Sequence, residues 1–341
     1  MKRILCFIIW TPMMLLVSCD VHEWPDLPNR VPFHLRLVYE TDMTEWKHLY
    51  NGLEVREQGL GEMYDNRLGQ GKIRYVIRAY PVSEMQRVAS IYAQEFVFTK
   101  DISEGYEHEV TLSLPEGDYN VMVWSDLMET VGDTPFHDAA NFNEIKLQGD
   151  HQGNTDYRDA FRGTNRLSLV ADVRNHQLDT VNITMQRPLA KIEFVTNDVE
   201  EFIKKESVRV DSRESRTVNL EDYKVAFHYV GFMADTYSMY TDKPVDSSTG
   251  VMFESTLKKL NDKEASMGFD YVLANDKETT VTMQMALYDK KGTQVSLTKP
   301  VDVPVKRSRH TLLTGTFLIS EATGGVTINP SFNGDHNIKF E

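Results

Sequence analysis

From Val31 onward the chain alternates. Phe33, Leu35 and Leu37 fall on one face while His34 and Arg36 fall on the other, the two-residue period of a half-buried strand. Residues 72–80 repeat the pattern, with Ile73, Tyr75, Ile77 and Ala79 on one side. Residues 95–99, 109–114 and 119–124 read as further strands. The last of these follows Leu114-Pro115-Glu116-Gly117, where proline sets φ for a turn and glycine takes the conformation that the exit needs. Residues 178–185 carry Leu178, Val181, Ile183 and Met185 inward with one slip, which suggests a bulge. Residues 41–70 are polar and glycine-bearing, with Trp46, Leu49 and Tyr50 placed on a short helix, and residues 129–165 read as loop-rich.

Arg187-Pro188 punctuates the chain, because proline cannot donate to a central ladder. Beyond it, residues 191–196, 223–232, 269–274, 279–288, 295–303 and 311–319 read as strands, residues 337–340 as a short last strand, and residues 199–206 as a short helix. No segment sustains a 3.6-residue apolar period. Short strands between glycine, proline and aspartate turns predict an all-β protein of two tandem β-sandwiches, residues 31–187 and 188–341. A chain of 341 residues is long enough for two such domains at about 150 residues each.

The start of the chain does not belong to either sandwich. Lys2 and Arg3 precede an uncharged run to Val17 that is too short for a permanent membrane span. It ends Leu16-Val17-Ser18-Cys19, with a branched apolar residue, a small residue and a cysteine where a lipoprotein signal peptidase requires them. Residues 1–18 are therefore expected to be removed, Cys19 to be lipidated, and residues 19–30, with two prolines, to form a tether. Each buried methylene contributes about 0.8 kcal/mol, so two or three acyl chains anchor a protein nearly permanently. The expected location is the outer membrane, surface-exposed.

Charge and cysteine count narrow the function. The formal net charge is −14, and the signal takes two of the cations with it. Nucleic acid and anionic lipid would repel such a chain. Of the two cysteines, Cys6 leaves with the signal and Cys19 is committed to lipid, which excludes internal disulfides and cysteine chemistry.

Four stretches carry a family resemblance: the lipobox followed by Asp20-Val21-His22-Glu23-Trp24-Pro25; residues 114–126, LPEGDYNVMVWSD; residues 185–193, MQRPLAKIE; and residues 303–311, VPVKRSRHT, leading to Gly315. In this order they resemble the Bacteroidales fimbrillin superfamily, especially its lipid-anchored, FimB-like fimbrial anchor and accessory subunits. The resemblance implies two transthyretin-like β-sandwiches and assembly with fimbrillin-like pilin subunits by β-strand addition, in which main-chain hydrogen bonds supply affinity and alternate side chains fill pockets. In that scheme an arginine-specific protease frees a groove in stalk pilins. Arg30-Val31 is a candidate cut, but cleavage there would release the protein from Cys19, so an uncut anchor fits better and Arg30 reads as a tether residue. Arg187, followed by proline, reads as a structural residue of the joint. Residues 337–340 are one candidate for a donated strand.

No catalytic, cofactor or metal site emerges. His22-Glu23 lacks the second histidine of a zinc helix, and Asp150–Asp156 (DHQGNTD) lacks calcium-loop spacing. There is no nucleophile elbow or phosphate loop. Trp124 reads as core. Asp179-Thr180-Val181 resembles an O-glycosylation acceptor, though within a strand. Trp46, Tyr50 and Tyr64 lie in a polar stretch and either cap a sandwich or stack on a sugar. A glycan-binding surface lipoprotein is accordingly the alternative function.

Overall fold

The structure is a computed structural model and describes residues 30–40, 46–50, 53–58, 71–82, 92–102, 107–130, 132–170, 178–209 and 218–319. Cys19, Tyr64 and residues 337–340 lie outside the described residues, as do residues 1–18, expected as a signal, and residues 20–29 of the expected tether. The first half supplies β1 (Arg30–Tyr39), β2 (Trp46–Tyr50), β3 (Leu53–Gln58), β4 (Lys72–Pro81), β5 (Gln94–Asp101), β6 (Glu107–Pro115), β7 (Gly117–Met128), β8 (His137–Asp138), β9 (Ile145–Leu147), β10 (Ala160–Leu169) and β11 (Asp179–Met185). The second supplies β12 (Leu189–Thr196), α1 (Val199–Arg209), β13 (Lys224–Tyr229), β14 (Met233–Ser238), β15 (Lys243–Ser248), β16 (Met252–Thr256), β17 (Lys258–Lys259), β18 (Ala265–Leu273), β19 (Thr279–Tyr288), β20 (Gln294–Leu297), β21 (Val301–Val305) and β22 (His310–Gly315). Among the described residues the protein is all-β apart from α1 and short turns. The described helix is not long and apolar enough to cross a membrane.

Alternation creates the first sandwich. Phe33, Leu35, Leu37 and Tyr39 of β1 point into one core with Ile73, Tyr75 and Ile77 of β4, Val121 and Val123 of β7, and Val181, Ile183 and Met185 of β11. A sheet of order β11-β1-β6 faces one of order β10-β7-β4-β5. Within the smaller sheet β1 runs parallel to β11 and antiparallel to β6. The expected slip in β11 is absent: its register with β1 is regular, and Leu178 simply precedes the strand. Across the core, Gly163 on β10 lets Ile183 and Met185 of β11 approach so closely that an added Cβ would sit 2.4 Å from Ile183.

The second half packs two further sheets around Ile192, Phe194, Phe202, Val225, Phe227, Met283, Met285 and Leu313. One has order β17-β18-β12-β22-β3-β2, the other β16-β13-β19-β20 with β21 also on β19. A register shift between Phe194 and Val195 lies opposite Gly268, whose φ of +143° and close neighbour Ser255 leave no comfortable place for a side chain.

Two sets of strands join the halves. β3 pairs antiparallel with β22 and carries β2 at its outer side, and β9 pairs with β14. Residues 46–50 are therefore strand rather than helix. The register Tyr50↔Leu53 leaves Asn51-Gly52 between the two strands, a pair that favours tight hairpins, and this was the sequence signal for them. The loop-rich stretch similarly contains β8, β9 and most of β10. Residues 295–303 divide into β20 and β21, with Lys299-Pro300 between them.

Between the sheet of β4 and β7 and the sheet of β12 and β18 lies a third apolar cluster. Val76 and Tyr80 of β4 and Met122 and Trp124 of β7 meet Leu189, Tyr237, Phe269, Tyr271 and Leu273. β4 and β7 are thus covered on both faces.

Candidate functional site

Among the described residues two regions stand out: a sheet edge without a strand partner and a polar joint. The edge is formed by β5 and β6. Among the described residues β6 pairs only with β1 and β5 only with β4, so each leaves one side of its backbone without a strand partner. Their inward residues Phe96, Phe98, Val110 and Leu112 are half-buried, whereas those of the central strands are fully buried. Phe98 stacks on Tyr75 at 4.9 Å, which holds it toward the core. The outer face of β6 presents Glu107, Glu109 and Thr111 to solvent, and Arg36 pairs with Glu107 at 2.6 Å.

Arg30 closes one end of this edge. Its guanidinium donates to the Ser113 carbonyl and hydroxyl on β6 and to Gln94 Oε1 at the start of β5. The Arg30-Val31 peptide bond lies inside the β1–β6 ladder, in the register Arg30↔Pro115 and Val31↔Leu114. Arg30 is the first residue of β1 rather than part of a free tether, and a protease that needs an extended, unpaired substrate would first have to unzip the strand end.

The joint is built on the Arg-Pro-Leu-Ala-Lys segment. Arg187 Nε donates to Asp159 Oδ2 at 2.8 Å, both residues being about 1% exposed or less, and the guanidinium lies 4.3 Å from the Phe161 ring centre. Lys191, from β12, donates to Asp156 Oδ1 at 2.7 Å, and the Tyr271 hydroxyl donates to the same oxygen. Asp270 accepts from the Tyr229 hydroxyl at 2.6 Å and lies 2.6 Å from His151 Nε2, with Arg158 nearby at 3.5 Å. On the first-half side Arg74 donates to both oxygens of Asp126, which also accepts from the Trp124 indole at 3.1 Å.

Burial shifts several groups of this region, although Asp270, also buried, is held below its ordinary value by Arg158 and by hydrogen bonds from His151 and Tyr229 that outweigh the burial. Burial pushes the carboxyls of Asp126 and Asp159 above the ordinary range, against the opposing pull of Arg74 and Arg187 respectively. It pushes His137 down to about 3, helped by the charges of Arg158 and Arg74. Neither ring nitrogen of His137 makes a hydrogen bond among the described residues. Unfolded, this imidazole takes up a proton near pH 6.5; folded, it stays neutral until about pH 3. Its contribution to stability is complete above the unfolded value and is lost as pH falls, by about 1.4 kcal/mol per pH unit. His228 and His310, also lowered by burial, act in the same direction, while Asp126 and Asp159 oppose it in the carboxylate range. The His137→Gln variant is therefore expected to show a shallower fall in unfolding free energy between pH 6.5 and 5 than the parent, as measured by urea titration at each pH.

Other residues singled out in the sequence are dispersed. Trp124 is fully buried, as core. Trp46 and Tyr50 fall on β2, at the outer side of β3. Thr180 is exposed on β11, an edge strand of its sheet. In the Asp150–Asp156 stretch, Asp156 is engaged with a lysine and His151 with Asp270. Among the described residues no group of three His, Cys, Asp or Glu could hold a metal ion. Periodicity missed Asp126, Asp159 and Asp270 because a carboxylate reads as solvated until its buried cation is known. One signal was present: the second face of residues 72–80 reads Arg74, Val76, Arg78, Tyr80, too apolar for open solvent.

Several solved structures are remotely similar. The fimbrial anchor protein Mfa2 from Porphyromonas gingivalis is 12% identical with a TM-score of 0.40, over 78% of this chain and 82% of that one. A candidate polysaccharide-binding protein (DUF1812) from Bacteroides thetaiotaomicron is 13% identical with a TM-score of 0.43, over 78% and 79%. A candidate cell adhesion protein from Bacteroides eggerthii is 10% identical with a TM-score of 0.43, over 91% and 94%. No curated protein matches the chain. A model described as a family of unknown function, DUF6562, matches residues 28–341, most of the chain. The chain belongs to the DUF6562 family.

Proposed function

We propose that this protein is a non-enzymatic surface lipoprotein that serves as a fimbrial anchor or accessory subunit, held by lipid on Cys19 and joined to pilin subunits by β-strand addition. The observation that carries the reading is the edge of β6 that has no strand partner among the described residues. A strand laid there would pair its backbone with β6 and cover Phe96, Phe98, Val110 and Leu112 with its alternate side chains. The ordered motifs that resemble fimbrillin-type accessory subunits support the same reading, and the lipobox supports anchor over stalk.

The test is capture of partners from surface membranes of the native host through a C-terminal tag, analysed without boiling. Fimbrillin-like subunits in a heat-sensitive ladder are expected, and Val110→Lys with Leu112→Lys should deplete them at least tenfold while leaving the thermal unfolding transition in place. Recovery of the protein alone, or with sugar importers, would sink the proposal in favour of glycan binding. The Cys19→Ser variant is expected to move from the detergent phase to the aqueous phase and to lose labelled palmitate; continued membrane retention would remove the lipid anchor from the scheme.

A further inference from the structure

One buried pair at the joint has the makings of a covalent bond. Lys191 is completely buried on β12, and Nζ lies 2.7 Å from Asp156 Oδ1. Asp156 opens the short turn Asp156–Arg158 that leads into β10, and its side chain is 12% exposed. The Tyr271 hydroxyl reaches the same Oδ1 at 2.8 Å. The face of Phe269, whose ring centre is 3.9 Å from Nζ, walls off the other side of the amine. An amine, a carboxyl group and a proton carrier thus converge at a place that solvent reaches only along the edge of Asp156.

Charges so placed pay a desolvation penalty that a neutral pair does not. Transfer of one proton along the Lys191–Asp156 hydrogen bond yields a neutral amine beside a neutral acid. We propose that these two groups condense to an intramolecular amide. Nζ attacks Cγ and forms the new C–N bond. Tyr271 gives its proton to the departing oxygen and receives one from the nitrogen, the C–O bond breaks, and one water leaves. In sum, an ammonium and a carboxylate become an amide and water, with no oxidant or co-reactant. The fold holds the reactants together, so the step is unimolecular and gains the large effective concentration of a positioned pair. Exclusion of water opposes the reverse hydrolysis.

The link would join a turn of the first half to the central sheet of the second, across a sequence separation of 35 residues. Force applied along the chain would then meet a covalent bond at the joint instead of an ion pair. This inference does not depend on the fimbrial reading.

Peptide mass spectrometry of the full folded chain, digested after denaturation, tests it. The expected result is a branched peptide that joins the segments bearing Asp156 and Lys191, lighter than their sum by one water. Asp156→Ala and Lys191→Met should yield only linear peptides. Asp156→Asn is nearly isosteric and should give the same branched product by loss of ammonia, which separates failed chemistry from failed folding. Tyr271→Phe should slow conversion at least tenfold. Linear peptides alone from parent and Asp156→Asn chains that show an intact unfolding transition would overturn the proposal, and conversion of Tyr271→Phe at the parental rate would overturn the role given to that hydroxyl.

Discussion

Replacing Trp124 with alanine is expected to cost about 4 kcal/mol, within the ~3–5 kcal/mol typical of emptying a large aromatic site in a packed core. Trp124 is fully buried at the middle of β7, whose neighbours are β10 and β4. Its ring sits between the two sandwiches, edge-on to His137 at 5.4 Å and tilted against Tyr237 at 6.2 Å. Sheets on both sides fix the cavity walls, so the site cannot collapse to fill the space. The indole N–H also donates to Asp126, a carboxylate with no exposure that loses one of its donors in the variant. Trp124→Phe separates the two effects: it keeps most of the ring and loses the hydrogen bond, for about 1–2 kcal/mol. Denaturant unfolding of parent and variants is the measurement. A loss below about 1 kcal/mol for the alanine variant would mean that the packing between the sandwiches contributes little to stability.

Asp159→Ala is expected to be comparably damaging, by about 3–5 kcal/mol, because it removes a buried carboxylate that faces a buried guanidinium. Arg187 and Asp159 meet at 2.8 Å with almost no exposure, and Asp159 Oδ1 also accepts from the Ala160 amide at 2.9 Å. The size of that loss does not measure what the pair contributes. Burial already pushes Asp159 toward its neutral form, so part of the attraction is spent on desolvation. The double variant Asp159→Ala, Arg187→Met should therefore recover most of the stability lost by Asp159→Ala alone. A thermodynamic cycle over the two sites reads this directly: additive losses would show that the two side chains do not act on each other.

The strands of the first sandwich were legible because one residue type alternates with another at the spacing of the pleat. Phe33, Leu35 and Leu37 needed no partner to declare their inward face, and residues 199–206 were legible as the core of α1. The segments that went unread, β2, β3, β8, β9, β10 and β14 to β17, are short or polar, and their stability comes from the sheet they join rather than from their own pattern. Trp46 and Tyr50 are the clear case. Their polar surroundings read as a helix or cap, while the neighbouring hairpin signal, Asn51-Gly52, went unused.

The candidate site divides in the same way. Arg187 could be assigned to the joint because the proline after it marks a break in the chain. Its partner Asp159 could not, since the two are 28 residues apart and nothing local ties a carboxylate in a loop to that arginine.

The sequence by itself determined that this is an all-β chain and which side of β1 and β4 faces the first core, because each follows from periodicity within a few residues. Tertiary structure decided that β4 and β7 are buried on both faces, that β3 and β9 serve sheets of the second half, and that, among the described residues, β5 and β6 each keep one side without a strand partner. Those outcomes depend on which unpaired backbone edge and which uncovered apolar face meet across the whole chain, and no local pattern records that meeting.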